Sequence, residues 1–287
     1  MPPTGRPCWA WCWSCWCCSC RPDWSVRAPG WLPACGGADV ALLVTERLRK
    51  YFGETRAVDD VSLTIQPREL VSLVGANGAG KTTLVNLITG LLTPDRGRIL
   101  FQGVDVTHLP APQRIRAGIA RSFQLVNLFD QLTALDNVRL ALFARDGKIR
   151  TAVALAERDT AVRDEAMAIL EQFGLVPKWD LPAASLAQGE RKLLDVAVAY
   201  ALRPQLVLLD EPTSGVGTRE KGRIMDTVAS VCRDGGLTAI VVEHDMDIVF
   251  TYSDRILVMH QGQILADGPP EQIRADERVA TTLLGHA

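Results

Sequence analysis

Hydrophobic residues occur along the chain in short runs that predict buried strands, separated by longer segments with helical spacing. Residues 61–65 alternate between apolar and polar, which is typical of a half-buried strand. Three further runs, at 69–74, 205–209 and 238–242, are apolar at nearly every position, which favours parallel strands covered by helices on both faces. Helices are predicted between them at about 82–88, 152–173, 190–202 and 219–233. Since strands alternate with helices, we expect an α/β fold.

Two further segments have distinct patterns. Residues 125–185 show helical spacing without a strong strand, which predicts a separate helical subdomain. Residues 255–267 are typical of two short strands joined by a turn at 260–262.

The composition divides the chain into two parts. Seven of the eight cysteines and six of the seven tryptophans lie in the first 35 residues. A zinc site is disfavoured there, because the Cys12–Cys15 pair has no second pair at a suitable distance and no nearby histidine. A membrane-adsorbing tail is the other alternative. We expect residues 1–39 to be a disordered leader, or residues translated from a start codon placed too far upstream, and 40–287 to form the folded domain.

The whole-chain averages exclude several classes of protein. The 287 residues are 47% apolar and 22% charged, which is enough to form a substantial core. The net charge of −2 argues against a dedicated nucleic-acid binder, and no run of 18 apolar residues predicts a membrane span.

A glycine-rich loop follows the predicted strand at 69–74. Residues 75–82 read GANGAGKT and fit the pattern G-x-x-x-x-G-K-[ST], in the strand-to-helix context that this pattern requires. The backbone N–H groups of such a loop surround phosphates, and the following helix N-terminus adds positive potential. Lys81 is expected to reach the β- and γ-phosphates, and Thr82 to supply a hydroxyl to Mg²⁺.

Two carboxylates end the apolar run at 205–209. Asp210 is expected to hold Mg²⁺, through water, and Glu211 to polarise the attacking water. An apolar run ending in Asp-Glu is a weak pattern alone and gains meaning only with the phosphate loop.

Together these elements resemble the ABC transporter ATPase family, and further matches cover residues 43–287. Gln124 resembles the glutamine of the family's Q-loop, and His244 its switch histidine. The stretch 186–191, LAQGER, resembles the family signature, and 214–217 occupies the place of its D-loop. Phe52, with Tyr51 as the alternative, stands where the family has an aromatic residue that stacks on adenine.

The resemblance implies an ATP-hydrolysing P-loop NTPase, with a mainly parallel sheet, an antiparallel β part and a helical subdomain at about 125–185. It implies ATP and Mg²⁺ as cofactors and Glu211, His244 and Gln124 as catalytic residues. The implied ATP-binding residues are Phe52, Gly75, Ala76, Asn77, Gly78, Ala79, Gly80, Lys81, Thr82, Thr83, Ala187, Gln188, Gly189 and Glu190. The implied Mg²⁺-binding residues are Thr82, Gln124 and Asp210.

Two positions depart from the family pattern. Ala187 replaces the signature serine, so that its hydroxyl is missing, and Gly217 replaces the usual D-loop aspartate. Both concern the half of the site that a partner subunit would supply.

Within the family, several stretches resemble the LivG-type ATP-binding proteins of branched-chain amino acid importers. They are 121–129, 132–138, 242–246 and a C-terminal extension at about 268–287. This resemblance implies a second ABC ATPase subunit, identical or not, and two transmembrane permease subunits. It also implies an indirect connection to a periplasmic or extracellular solute-binding protein, no nucleic-acid partner, and a peripheral position on the cytoplasmic face of the bacterial inner membrane. Residues 125–129 are the candidate permease contact.

Other functions remain as alternatives. The first is another ABC system, for urea or amide uptake or for lipopolysaccharide or lipid export. A non-transport ABC protein of translation or DNA repair is disfavoured, because only one set of motifs is present and 104 residues between Lys81 and Leu186 leave no room for a long coiled coil. A regulator without turnover is expected to lack the base, yet Glu211 is present.

Overall fold

The computed structural model describes residues 41–122, 128–148 and 159–284. The strands are β1 (Leu43–Phe52), β2 (Thr55–Ile65), β3 (Leu70–Val74), β4 (Arg96–Phe101), β5 (Val104–Asp105), β6 (Ile119–Ser122), β7 (Leu206–Asp210), β8 (Thr238–Val242), β9 (Arg255–His260) and β10 (Gln263–Gly268). The helices are α1 (Lys81–Thr89), α2 (Ala111–Ala117), α3 (Ala134–Arg145), α4 (Thr160–Gln172), α5 (Gln188–Ala201), α6 (Thr218–Gly235), α7 (Met246–Tyr252), α8 (Pro270–Ala275) and α9 (Glu277–Val279). Short 3₁₀ turns occur at Val176–Lys178 and Ala183–Ser185, and a π-helical turn at Ala280–Leu284.

The strands form two sheets. One has the order β10-β9-β3-β8-β7-β6, and within it β9, β3, β8, β7 and β6 run parallel while β10 pairs antiparallel with β9. The other is antiparallel, with the order β2-β1-β4-β5. The expected α/β fold, with a mainly parallel sheet and an antiparallel part, is therefore confirmed.

The central strands bury both faces, as their apolar runs predict. Leu206 and Leu208 belong to a core shared with α1 and the antiparallel sheet, whereas Val207 and Leu209 belong to a core shared with α3 to α6. Successive side chains of a strand point to opposite faces, so β7 contributes to both cores. All five of its residues are buried.

The predicted helices occur with small shifts of their ends. The one predicted at 152–173 is present as Thr160–Gln172, and residues 149–158 lie outside the described part. The segment expected to be helical at 125–185 contains α3, α4 and two 3₁₀ turns in its described residues. None of the helices in 41–122, 128–148 and 159–284 is both long and apolar enough to cross a bilayer.

Candidate functional site

The predicted catalytic and phosphate-binding residues follow neighbouring strands of the parallel sheet. The glycine-rich loop follows β3, His244 follows β8, Asp210 ends β7, and Glu211 comes directly after it. Since β3, β8 and β7 are adjacent and parallel, their carboxyl ends meet at one edge, where ligands bind in open α/β sheets. The next strand, β6, ends at Ser122, just before the segment that contains Gln124.

The backbone of the loop explains its glycines. Gly80 has φ 103°, and a Cβ there would collide with the carbonyl oxygen of Ala57. Gly78 has φ 80° and lies exposed in open space. A side chain at either position would be strained, so glycine is required for the loop to turn into α1 at Lys81.

Lys81 is buried beneath the loop. Its Nζ donates to the carbonyl oxygens of Gly75, at 2.6 Å, and Ala76, at 3.0 Å, and only 6% of the residue is exposed. Burial lowers the pKa of Lys81, and the nearby carboxylates of Glu211 and Asp210 oppose that shift. The ammonium therefore lies among the predicted phosphate-binding and water-activating groups.

Glu211 and His244 contact each other directly. The Oε1 atom of Glu211 lies 3.1 Å from Nε2 of His244, and both side chains reach solvent at the edge of the sheet. A carboxylate and an imidazole in this arrangement can hold and orient a water molecule between a base and a hydrogen-bonding partner.

Asp210 lies deeper than Glu211 and is 4% exposed. Its Oδ2 accepts a hydrogen bond of 2.7 Å from Nη2 of Arg121, whose Nη1 donates to Oδ1 of Asn86 on α1 at 2.5 Å. Arg121 was not among the predicted site residues. It links β6, β7 and α1 beneath the site.

Glu243 is a second residue that the sequence analysis missed. It is 3% exposed, and its Oε1 accepts from the backbone N–H of Thr213, at 3.0 Å, and from its hydroxyl, at 2.8 Å. Its Oε2 accepts from the backbone N–H of His244 at 3.2 Å. Glu243 thereby joins the turn after Glu211 to the segment that carries His244. Its position directly after a buried apolar run was the one available indication.

The signature-like residues begin helix α5. Ala187 and Gln188 are exposed, and Oε2 of Glu190 accepts from the backbone N–H of Ala187 at 3.0 Å and from Nζ of Lys178 at 2.7 Å. Gln188 packs so closely on Gly215 that a Cβ at Gly215 would collide with its amide nitrogen. Within the part of the chain that the structure describes, no hydrogen bond joins Ala187–Glu190 to the phosphate loop of the same chain.

The remaining predicted residues are placed as follows. Phe52 ends β1 and is 50% exposed, whereas the hydroxyl of Tyr51 donates to Oδ1 of Asp59 at 2.7 Å. Phe52 therefore presents the more exposed ring, whereas Tyr51 is half-buried. Thr82 is exposed on the first turn of α1 and Thr83 half-buried, Asn77 is exposed and Ala79 buried. Gln124 lies outside the described residues.

The oxygen donors near the loop suit Mg²⁺ better than a transition metal. Among residues 41–122, 128–148 and 159–284, no group of three His, Cys, Asp or Glu side chains could hold a metal ion. Thr82 and Asp210 offer one hydroxyl and one carboxylate, and Mg²⁺ is commonly held by one or two carboxylates together with substrate phosphates.

The chain is similar to a known protein family and to individual ATP-binding proteins. The family described as ABC transporter matches residues 58–214. The chain is 36% identical over 252 residues to the high-affinity branched-chain amino acid transport ATP-binding protein LivG of Escherichia coli strain K12, covering 86% of this chain and 98% of that protein. It is 38% identical over 231 residues to the Fe(3+) ions import ATP-binding protein FbpC of Agrobacterium fabrum, covering 80% of this chain and 62% of that protein.

Solved structures give the same result. The ADP conformation of MJ1267, an ATP-binding cassette of an ABC transporter, matches with a TM-score of 0.74 and 31% identity, covering 86% of this chain and 99% of that chain. The family match over more than half of the chain and the identity to LivG along nearly its whole length show that this chain belongs to the ATP-binding proteins of ABC transporters.

Proposed function

We propose that the chain is the ATP-hydrolysing subunit of an ABC importer for branched-chain or related amino acids. The observation that carries the ATPase function is the convergence of Lys81, Asp210, Glu211 and His244 at one edge of the sheet. Similarity to LivG along nearly the whole of that protein supports the solute class. Because the chain is also 38% identical to an iron importer subunit, an ABC system for another solute is the alternative.

The proposed roles follow from the geometry. The loop amides and Lys81 bind the phosphates of ATP, Phe52 stacks on the base, and Glu211 accepts a proton from the attacking water while His244 orients it. Thr82, Asp210 and Gln124 would hold Mg²⁺, which supplies charge neutralisation at the phosphates when bound.

The signature-like residues support a dimer. Because Ala187 and Gln188 are exposed, and because Ala187–Glu190 have no hydrogen bond to the described phosphate loop of their own chain, we propose that this segment contacts the nucleotide of a second ATPase subunit. The backbone N–H groups at the start of α5 remain available for a phosphate there, although Ala187 lacks a hydroxyl.

Two permease subunits complete the proposed transporter, with a solute-binding protein outside the membrane and this chain peripheral on the cytoplasmic face. Phe129, which is 61% exposed, belongs to the predicted permease contact at 125–129, and residues 125–127 of that segment lie outside the described part.

The substitution Glu211→Gln tests the chemistry. It removes the base but leaves the phosphate-binding groups, so we expect turnover to fall by about 10²–10⁴-fold while ATP still binds. Removing a negative charge next to the γ-phosphate also favours the ATP-bound dimer, whereas Lys81→Ala is expected to lose nucleotide affinity. ATPase rate and ATP-dependent dimerisation are measured side by side, and wild-type turnover by Glu211→Gln in the transporter would remove Glu211 from the mechanism.

The solute is tested in proteoliposomes that contain the co-purified permease and ATPase subunits. ATP-dependent uptake of leucine, isoleucine or valine is the expected result, and uptake of ferric ion or urea in place of these amino acids would identify another ABC system.

A further inference from the structure

The backbone of Glu211 is held in an uncommon conformation. Its φ is +50°, in the left-handed region that non-glycine residues adopt only where the surrounding structure fixes them. The Glu211 N–H donates to the carbonyl oxygen of Val242 at 2.9 Å. The Glu211 carbonyl oxygen accepts from the backbone N–H of Ser214, at 3.1 Å, and from Nζ of Lys192, also at 3.1 Å. These three bonds fix the turn whose side chain meets His244.

Of the three groups that bond to the backbone of Glu211, only Nζ of Lys192 belongs to a side chain. Lys192 lies on α5, four residues after Gln188, and is 6% exposed. Its Nζ also lies 3.3 Å from Oγ of Ser214, so that it bridges the first residue of the turn and its fourth. Burying an ammonium is costly, and an apolar side chain of the same length would fill this space at lower cost. Packing alone therefore does not account for a lysine here.

We propose that Lys192 is a positioning residue that holds the left-handed turn at Glu211 and so aims its carboxylate at the attacking water. The proposal rests on the role of Glu211 given above. It adds a residue on another element, which acts through Glu211 and does not itself contact the nucleotide.

The place of Lys192 on α5 gives the contact a further consequence. Helix α5 starts at Gln188, within the signature-like segment, and Lys192 lies about one turn further along the same rigid helix. A displacement of the start of α5 therefore also displaces Nζ of Lys192 relative to Glu211. In the proposed dimer, contact of one subunit's signature with the partner's nucleotide would thus be coupled to the carboxylate of that subunit's own site.

The test compares Lys192→Met with Lys192→Arg in the full chain, within the assembled transporter. Lys192→Met keeps the length of the side chain and removes the donor, so we expect kcat to fall by about 10²-fold, as for a small misplacement of a reacting group. ATP affinity should remain unchanged, and the variant should accumulate as an ATP-bound dimer, as expected for Glu211→Gln. Lys192→Arg, which keeps the charge and the donors, should retain most of the wild-type kcat.

A control and a double variant separate positioning from general damage. Arg203→Met removes a cation just beyond the other end of α5, where Arg203 pairs with Glu165, and should leave kcat unchanged. In a Glu211→Gln background, Lys192→Met should cause no further loss, because both changes act on the same step. If Lys192→Met fails to fold, Lys192→Gln replaces it with the same expected split between kcat and affinity.

Three results would overturn the proposal: wild-type kcat in Lys192→Met, an equal loss of ATP binding and of turnover in that variant, or an additive loss in the double variant. An active Lys192→Met beside an inactive Glu211→Gln contradicts only the role of Lys192. An active Glu211→Gln contradicts the proposed base itself.

Discussion

At the scale of single residues, Ala187 stands where a serine hydroxyl could both cap helix α5 and donate to a phosphate. The alanine side chain can do neither. Ala187 is the N-cap of α5, with φ −61° and ψ 156°, and makes no side-chain capping bond. Glu190 already completes one half of the usual reciprocal cap, because its carboxylate accepts from the Ala187 N–H. The other half, a hydroxyl that accepts from the backbone N–H of Glu190, is missing.

Ala187→Ser should supply that hydroxyl. We expect it to stabilise the protein by about 0.5–2 kcal/mol, the usual effect of an N-cap serine. If the loop meets a phosphate as proposed, ATPase activity in the transporter should stay equal or increase. Thermal denaturation and the ATPase rate check the two effects, with Ala184→Ser on the preceding exposed turn as the control. A steep loss of activity would show that the loop is built differently from the family signature.

At the scale of elements, strands β3, β7, β8 and β9 of the parallel sheet could be predicted, whereas β6 and most of the antiparallel sheet could not. Strand β8 has the predicted bounds, and β3 and β7 differ from prediction by one residue at their ends. Strand β1 carries charged residues along its length, and register shifts interrupt its pairing with β2, so no period of two survives in its sequence. Only tertiary pairing identifies it as a strand.

Prediction of the site is limited in the same way, because contacts between residues distant in sequence leave no local pattern. Lys81, Asp210 and Glu211 stand in motifs whose spacing reflects local backbone geometry. Arg121 and Lys192 act through contacts with residues 89 and 19 positions away, for which no spacing rule exists. The sequence thus predicts the chemical groups on the loop and at the strand ends. The structure is needed to identify the side chains that hold those groups in place.

The buried side chain of Arg114, on α2, caps the C-terminus of helix α1. The guanidinium of Arg114 donates to the carbonyl oxygens of Leu87, at 2.5 Å, and Ile88, at 2.7 Å, in the last turn of the helix, where carbonyl groups lack the usual intrahelical donors. It also donates to Thr107, at 2.8 Å, and Leu109, at 2.9 Å. Burial lowers the pKa of Arg114 to about 10. Arg114 thereby joins α1, α2 and the loop between β5 and α2.

Replacing Arg114 by Met should remove the guanidinium donor from these four carbonyl groups. We expect a loss of about 2–4 kcal/mol in the free energy of unfolding, since unsatisfied buried polar groups are costly. Urea denaturation measures the loss, and Arg116→Met, an exposed position on the same helix, is the control. Equal stability of the two variants would contradict the capping role.

Glu165, on α4, is bonded to α3 and to the segment after α5, and it gives a pH-dependent prediction. Its carboxylate accepts from Nη1 and Nη2 of Arg145 on α3, at 2.6 and 3.0 Å, and from Arg203 at 2.7 Å. The hydrogen bond from Arg145 holds the pKa of Glu165 below its usual value, in spite of partial burial. A lowered folded-state pKa contributes stability above the unfolded-state pKa, and this contribution disappears as the pH falls through the folded-state value.

Glu165→Gln should therefore reduce stability at pH 7, by about 1 kcal/mol or less because the group is partly exposed. The difference from wild type should shrink below about pH 4.5, where the unfolded-state carboxyl becomes protonated. Urea denaturation at pH 7 and pH 4 provides the comparison. A difference that stays constant between the two pH values would mean that charge is not its cause.

At the scale of the whole molecule, both faces of the parallel sheet are covered by side chains of the described residues. The core on one side begins with Leu42 and Leu43 and includes β3, α1 and the antiparallel sheet, and the core on the other joins α3 to α6. A third cluster packs α7, α8 and α9 against β9. Every motif proposed to bind ATP also lies after residue 42, which supports residues 40–287 as the proposed folded and functional unit.

Deletion of residues 1–39 should therefore leave folding, ATP binding and ATP-dependent dimerisation unchanged. We expect the melting temperature to lie within about 2 °C of that of the full chain. In a domain of this size, a change of less than about 0.5 kcal/mol in the free energy of unfolding shifts the melting temperature by about 2 °C or less. Thermal denaturation and nucleotide titration of the two chains provide the measurement, with a full-length variant in which the seven N-terminal cysteines are serine as the control for thiol oxidation. A truncated chain that fails to fold, beside a serine variant that folds normally, would show that the segment is part of the domain and that its boundary is wrong.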